Sequence, residues 1–187
     1  YVVAPSGSCA AMIRVHYPRL FKNDPAAAAD LAGRTYELTS FLIDVMQWTE
    51  INAEYVGLVT YQDGCAGLRE LAIRDQPRKL LAAVRGLELV EGVDAETCCG
   101  FGGLFSLKFP DISARIADYK GNDIRAAGAD LVVGGDLGCL IHLAGRMARQ
   151  GMPVACRHVA EVLAGMTADS PPIGETNEKK NARQRQY

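Results

Sequence analysis

No stretch of the 187-residue chain approaches the roughly 18 apolar residues that a bilayer span needs, and the opening Tyr1-Val2-Val3-Ala4-Pro5 has no apolar leader core. Both absences predict a soluble, cytoplasmic protein without a transmembrane segment. Basic charge is not in excess either: 20 Lys and Arg stand against 22 Asp and Glu, for a formal net charge of −2. Such a chain has no overall positive field to hold a phosphate backbone, so nucleic acid is not expected as a partner. Cysteine is too sparse, at 6, for a disulfide-stapled miniprotein. A 49% hydrophobic content fills a core without staples. The tight pairs, two to four residues apart, that form structural zinc knuckles are missing as well.

What the chain does have is an alternation of short β-branched runs with helical patterns. Tyr1-Val2-Val3, Tyr55-Val56-Gly57-Leu58-Val59-Thr60-Tyr61, Leu87-Glu88-Leu89-Val90 and Leu131-Val132-Val133 read as buried strands. Between them, Leu38, Phe41, Leu42, Val45 and Met46 share one helical face, as do Leu140, Ile141, Ala144, Met147 and Ala148, while Ile112, Ile116 and Tyr119 begin a third stripe. All three stripes are expected to face the core of an α/β fold. From about Thr167 the period stops, and 167–187 is expected to be a disordered tail.

An internal repeat organises the rest. Tyr1-Val2-Val3-Ala4-Pro5-Ser6-Gly7-Ser8-Cys9 superimposes without gaps on Leu131-Val132-Val133-Gly134-Gly135-Asp136-Leu137-Gly138-Cys139, an offset of 130 residues. A second echo sets Glu37-Leu38-Thr39-Ser40-Phe41-Leu42 against His158-Val159-Ala160-Glu161-Val162-Leu163. With a unit near that length, residues 1–50 are expected to be the last part of a first, incomplete repeat, truncated at its N-terminus, and 51–166 a complete second one. The expected architecture is tandem repeats with short parallel-type sheets flanked by helices.

The complete unit carries Cys65, the adjacent pair Cys98-Cys99, and Cys139, with 32 residues between the first and the pair and 39 between the pair and the last. Each follows a predicted strand. Cys65 and Cys139 also precede helical patterns, where the helix dipole favours thiolate, the form that binds metal. In open α/β sheets the crevice beyond the strand carboxyl ends is the usual ligand site, so cysteines far apart in sequence are expected to converge there. Adjacent cysteines point different ways, and Gly100, Gly102 and Gly103 let the backbone bend around something bulky. A multi-iron sulfide cluster suits that geometry better than one zinc ion, and buried free thiols are the bland alternative.

The stretch Thr97-Cys98-Cys99-Gly100-Phe101-Gly102-Gly103-Leu104-Phe105-Ser106-Leu107-Lys108, with Cys65 before it and Gly138-Cys139-Leu140 after it, resembles the cysteine-rich CCG-domain iron-sulfur oxidoreductases, most nearly their lactate-utilisation branch. Supporting segments extend the resemblance over about residues 1 to 166. It implies that Cys65, Cys98, Cys99 and Cys139 hold an iron-sulfur cluster, of the 4Fe-4S type, and that Cys9 is the last ligand of a first site whose other ligands this chain lacks. Zinc is the alternative metal. The resemblance further implies an electron-transfer subunit of a system oxidising L-lactate, a small 2-hydroxy acid, to pyruvate. Its implied partners are a ferredoxin-like iron-sulfur subunit and a third lactate-utilisation protein. Two departures stand out: Asp136 precedes Cys139 where five-cysteine relatives have Cys-x-x-Cys, and Gln62 stands where related sequences often carry histidine. No catalytic residue is assigned. A zinc-stabilised module that binds a partner protein, and an inactive fragment, are the competing functions.

The remaining signals are weaker. Gly100-Phe101-Gly102-Gly103 and Gly134-Gly135-Asp136 complete no dinucleotide-binding motif and read as cluster-loop glycines. His16 and His142 are expected at surface or packing positions, His158 at a helix cap on the cysteine side of the sheet, and Cys156 inside a strand.

Overall fold

A computed structural model describes residues 1–175. Two parallel sheets form. The smaller pairs β1 (Val2–Ala4) with β2 (Thr35–Glu37), and the larger runs in the order β4 (Arg85–Leu89), β3 (Glu54–Gln62), β5 (Leu131–Gly134), β6 (Ala155–His158). The fold is thus α/β, with helices covering sheets whose central strands read as apolar runs because both faces are buried. Side chains alternate across β5. Leu131 and Val133 pack with Val59, Leu81, Val84, Val159 and Val162 on one face, and Val132 packs with Ala117, Ile124, Leu140, Leu143 and Met147 on the other.

Helices α5 (Cys65–Glu70) and α6 (Asp75–Ala82) connect β3 to β4, whereas α7 (Leu104–Lys108) and α8 (Pro110–Ala126) lead from β4 to β5. Helix α9 (Leu137–Arg149) joins β5 to β6, and α10 (Val159–Leu163) follows β6. In the first unit α1 (Gly7–Ala11) runs through a π-helical stretch, Met12–His16, into α2 (Tyr17–Leu20). There α3 (Pro25–Gly33) precedes β2, and α4 (Leu38–Ser40) continues as a second π-helical stretch, Phe41–Val45.

The repeat read from the sequence reappears in register. Ala4 pairs with Glu37 as Gly134 pairs with His158, so both echoes fall on equivalent positions of equivalent strand pairs. The two units meet through their first helices. A side chain at Gly7 would lie 2.9 Å from the Gly67 backbone, so α1 and α5 cross at a spacing that a Cβ would prevent.

None of the three expected stripes is buried throughout. Helix α9 buries Leu140, Leu143, Ala144 and Met147, leaving Ile141 54% exposed. Helix α8 reverses the expectation: Ile112 and Tyr119 face solvent, while Ser113, Ala117, Lys120, Gly121 and Ile124 are buried. Small side chains let α8 approach the glycine loop closely, and this buries polar residues with dedicated partners. On the first stripe Leu42 is buried but Met46 is exposed. The expected tail, 167–187, is described only to 175. That part packs along β6, where the Ile173 N–H donates to the Cys156 carbonyl at 2.9 Å and Arg157 donates to the Ser170 carbonyl at 2.7 Å.

Candidate functional site

Parallel order decides where the cysteines go. Because β4, β3 and β5 are neighbours pointing the same way, the loops leaving their carboxyl ends meet at one edge. Cys65 is the first residue of α5, Cys98 and Cys99 lie in the loop between β4 and α7, and Cys139 sits in the first turn of α9. Their sulfurs form a chain of thiol contacts from Cys65 to Cys98, Cys98 to Cys99, and Cys99 to Cys139. All four line an open cleft of about 640 Å³. Cys9, from the first turns after β1, lines the same cleft, with Ser6, Ser8, Phe101 and Asp136.

The thiols are unequal. Cys9 and Cys65 are exposed, Cys98 and Cys139 half-buried, and Cys99 buried. Cys98 is held well below the ordinary thiol range, first by the Cys65 thiol and then by the Cys99 thiol, with help from the Gly100 N–H at 3.3 Å and the charge of Arg69. Cys65 is pushed up because its S–H donates to Cys98, and Cys99 because it engages Cys139 and Cys98. One thiolate stabilised by neighbouring thiols is the arrangement that a positive metal centre would draw into several. Among the described residues no group of three or more His, Cys, Asp or Glu side chains closes around a single metal ion. The soft thiolate donor set fits iron-sulfur or zinc chemistry, and the width of the cleft leaves room for a bulky inorganic core. Cys156 lies elsewhere, 1% exposed in β6, where burial pushes its thiol up to about 12.

Buried ion pairs hold the cysteine loops from behind. Asp63 accepts a two-pronged bond from Arg78 at 2.8 and 3.1 Å, and the same guanidinium reaches Glu91 beyond β4. Lys120 is 2% exposed and donates to the carbonyls of Asp94 and Ala95 at 3.1 and 2.7 Å and to Asp123 at 3.4 Å, pinning the segment that runs into Cys98. Sequence reasoning missed both. A lysine at a core-facing position of α8 was the available signal for the second.

The two departures have definite places. Asp136 faces the first unit rather than a thiol: its Oδ1 accepts from the Ser6 hydroxyl, the Ser8 hydroxyl at 2.6 Å and the Ser8 N–H at 3.2 Å. Ser6 is its own counterpart in the repeat. Gln62 is 2% exposed at the end of β3, with its amide donating to the Asp63 carbonyl at 2.8 Å, and it does not line the cleft. His158 caps α10, its Nδ1 accepting from the Ala160 N–H at 3.1 Å, so Nε2 carries the proton. That N–H lies 3.2 Å from the Pro5 carbonyl and 2.9 Å from the Gly135 carbonyl, which are again repeat counterparts. His16 contacts Glu70 at 2.7 Å, and His142 lies 3.2 Å from the Ser113 hydroxyl.

Comparison with known proteins adds two findings. A family model described as the CCG cysteine-rich domain matches residues 59–144, an interval that contains Cys65, Cys98, Cys99 and Cys139. Over 166 residues the chain is 48% identical to lactate utilization protein A of Geobacillus kaustophilus, covering 87% of this chain and 69% of that protein. It is 45% identical to the protein of the same name from Oceanobacillus iheyensis, covering 87% and 68%. The Lysinibacillus sphaericus protein of that name is 43% identical, covering 87% and 72%.

Proposed function

From the premise that the chain belongs to the cysteine-rich CCG-domain family, we propose that it is an iron-sulfur electron-transfer subunit working in the oxidation of L-lactate to pyruvate. The observation that carries this reading is the meeting of four sulfurs from three adjacent strand ends in one wide cleft. Cys65, Cys98, Cys99 and Cys139 would hold the cluster. When bound, such a cluster supplies reversible one-electron transfer.

The protein's own contribution is positioning and electrostatics. Lys120 and Arg78 fix the loops, the Gly100 and Phe101 N–H groups donate toward the sulfurs of Cys98 and Cys99 at 3.3 and 3.5 Å, and the positive charge of Arg69 acts on Cys98. Hydrogen bonds to sulfur stabilise the more negative, reduced state and raise its potential. In this reading residues 1–50 contribute one wall of the cleft with Cys9, residues 51–166 form the complete repeat, and the protein works in the reducing cytoplasm, where thiols stay free. Electrons leave to a ferredoxin-like iron-sulfur subunit, with a third lactate-utilisation protein completing the system.

Iron and sulfide content of protein prepared without oxygen tests the reading. About four irons per chain are expected, with a cluster signal in the paramagnetic resonance spectrum of the reduced sample. Cys99→Ser or Cys139→Ser should lower the iron content about tenfold or more, whereas Cys156→Ser leaves it unchanged. Stoichiometric zinc without a paramagnetic signal would instead identify a zinc-stabilised module that acts by binding a partner.

A further inference from the structure

Behind the thiol cleft lies a second cavity of about 10 Å³, the space of a single water. Glu37, Tyr61, Asp63, Gly64, Gly135 and Asp136 contribute to its wall. Glu37, at the end of β2, is only 3% exposed, and its two oxygens differ sharply. Oε2 accepts from the Thr39 N–H at 2.9 Å, the Thr39 hydroxyl at 2.6 Å and the Ser40 N–H at 3.1 Å. Oε1 is buried and, among the described residues, has no hydrogen-bond partner. A methyl group on Gly135 would find Glu37 Oε1 and Tyr61 Oη each at 3.6 Å, so carboxyl and phenol border the same point. Asp136 belongs to both spaces. Its Oδ1 holds Ser6 and Ser8 at the cleft, while Oδ2 faces Gly7 and Gly64 on the cavity side.

A buried oxygen left without a partner costs about 1–3 kcal/mol, and more if it is charged. Three donors already occupy Oε2, so a proton on Glu37 belongs on Oε1, from which an O–H can point into the cavity. Burial, and to a lesser degree the charge of Asp136, hold this carboxyl above the usual carboxylate range against the pull of the Thr39 and Ser40 donors. The other ionisable groups around the cavity are Tyr61 and Asp63 from the end of β3, Arg78 from α6, which neutralises Asp63, and His158 from β6, whose Nε2–H is directed at the Gly135 carbonyl.

We propose that this cavity binds one water between Glu37 Oε1–H and Asp136 Oδ2, making the two carboxyls a proton store that opens on the cleft through the hydroxyls of Ser6 and Ser8. In the transfer, one O–H bond breaks at Glu37, one forms at Asp136, and the water gives one proton as it takes another. Negative charge added in the cleft draws the proton toward Asp136. The store is a property of the metal-free chain. Its coupling to electron transfer rests on the iron-sulfur reading.

Infrared spectroscopy of the metal-free protein, with isotope-labelled glutamate, tests the store without any variant. Glu37 is the one glutamate among the buried described residues. At neutral pH a protonated carboxyl band that shifts in heavy water and moves with the label is expected, and it should vanish in Glu37→Gln. The Gln variant keeps an amide oxygen for Thr39 and Ser40 and aims N–H donors at the cavity. Unfolding free energy gives an independent readout. Because the folded-state pKa is raised, wild-type stability falls as pH climbs from the ordinary carboxylate range through the raised value, and Glu37→Gln removes that fall. Absence of the labelled band at neutral pH, or an unchanged pH slope in Glu37→Gln, overturns the proposal. Iron content is measured separately, so a band in a chain that binds no iron sustains the store while defeating the cluster reading.

Discussion

Gly100 bears two demands at one position. Its φ of +84° lies where residues with a Cβ are strained, and a Cβ there would stand 2.5 Å from the Ser113 carbonyl on α8. The demands reinforce each other, because the turn that folds Cys98 and Cys99 toward the cleft also brings the loop down onto the helix. The Ser113 hydroxyl secures the contact by donating to the Gly100 carbonyl at 2.8 Å. Gly100→Ala is therefore expected to cost about 1–3 kcal/mol from backbone strain, before the clash is relieved. Thermal unfolding would show the loss. Unchanged unfolding would mean that the loop has a second, relaxed conformation within reach.

At the scale of elements, α8 shows what the sequence could and could not convey. Strand positions followed from β-branched runs, and the cysteine loops from their places after those runs, because a strand buried on both faces leaves few alternatives for an apolar segment. Helix orientation was less legible. Ile112, Ile116 and Tyr119 make a plausible apolar stripe, but the helix turns its small residues inward because the glycine loop must come within hydrogen-bonding distance of Ser113. A pattern that ranks residues by hydrophobicity undervalues alanine, glycine and serine where backbones approach closely. It also misreads Lys120, whose ammonium is satisfied by loop carbonyls that no local pattern announces. Paired substitutions separate the two orientations. Ala117→Leu, at a site with no exposure, should overpack the interface and cost about 1–3 kcal/mol. Ile112→Ala, at a site 53% exposed, should change stability by no more than about 0.5 kcal/mol. The opposite ranking in denaturant unfolding would restore the stripe to the core.

For the molecule as a whole, the decisive contact is between units rather than within one. The repeat placed Cys9 and Cys139 on equivalent loops, yet it could not say that these loops face each other, since an offset in sequence carries no information about the axis relating the copies. The structure brings counterparts together directly: Ser6 meets Asp136, and His158 lies between the carbonyls of Pro5 and Gly135. Cys9 thereby reaches the cleft of the other four thiols. If His158 is the tie, removing its imidazole should loosen both loops at once, including the one distant in sequence. His158→Ala loses the cap on α10 and the bonds to both carbonyls, together worth about 1–3 kcal/mol. Hydrogen exchange followed by mass spectrometry should then show protection falling in residues 5–11 as well as 135–140, while β3 and β5 keep theirs. Loss confined to α10 would show that Asp136 with Ser6 and Ser8 holds the units by itself, and the tie would pass to that carboxylate.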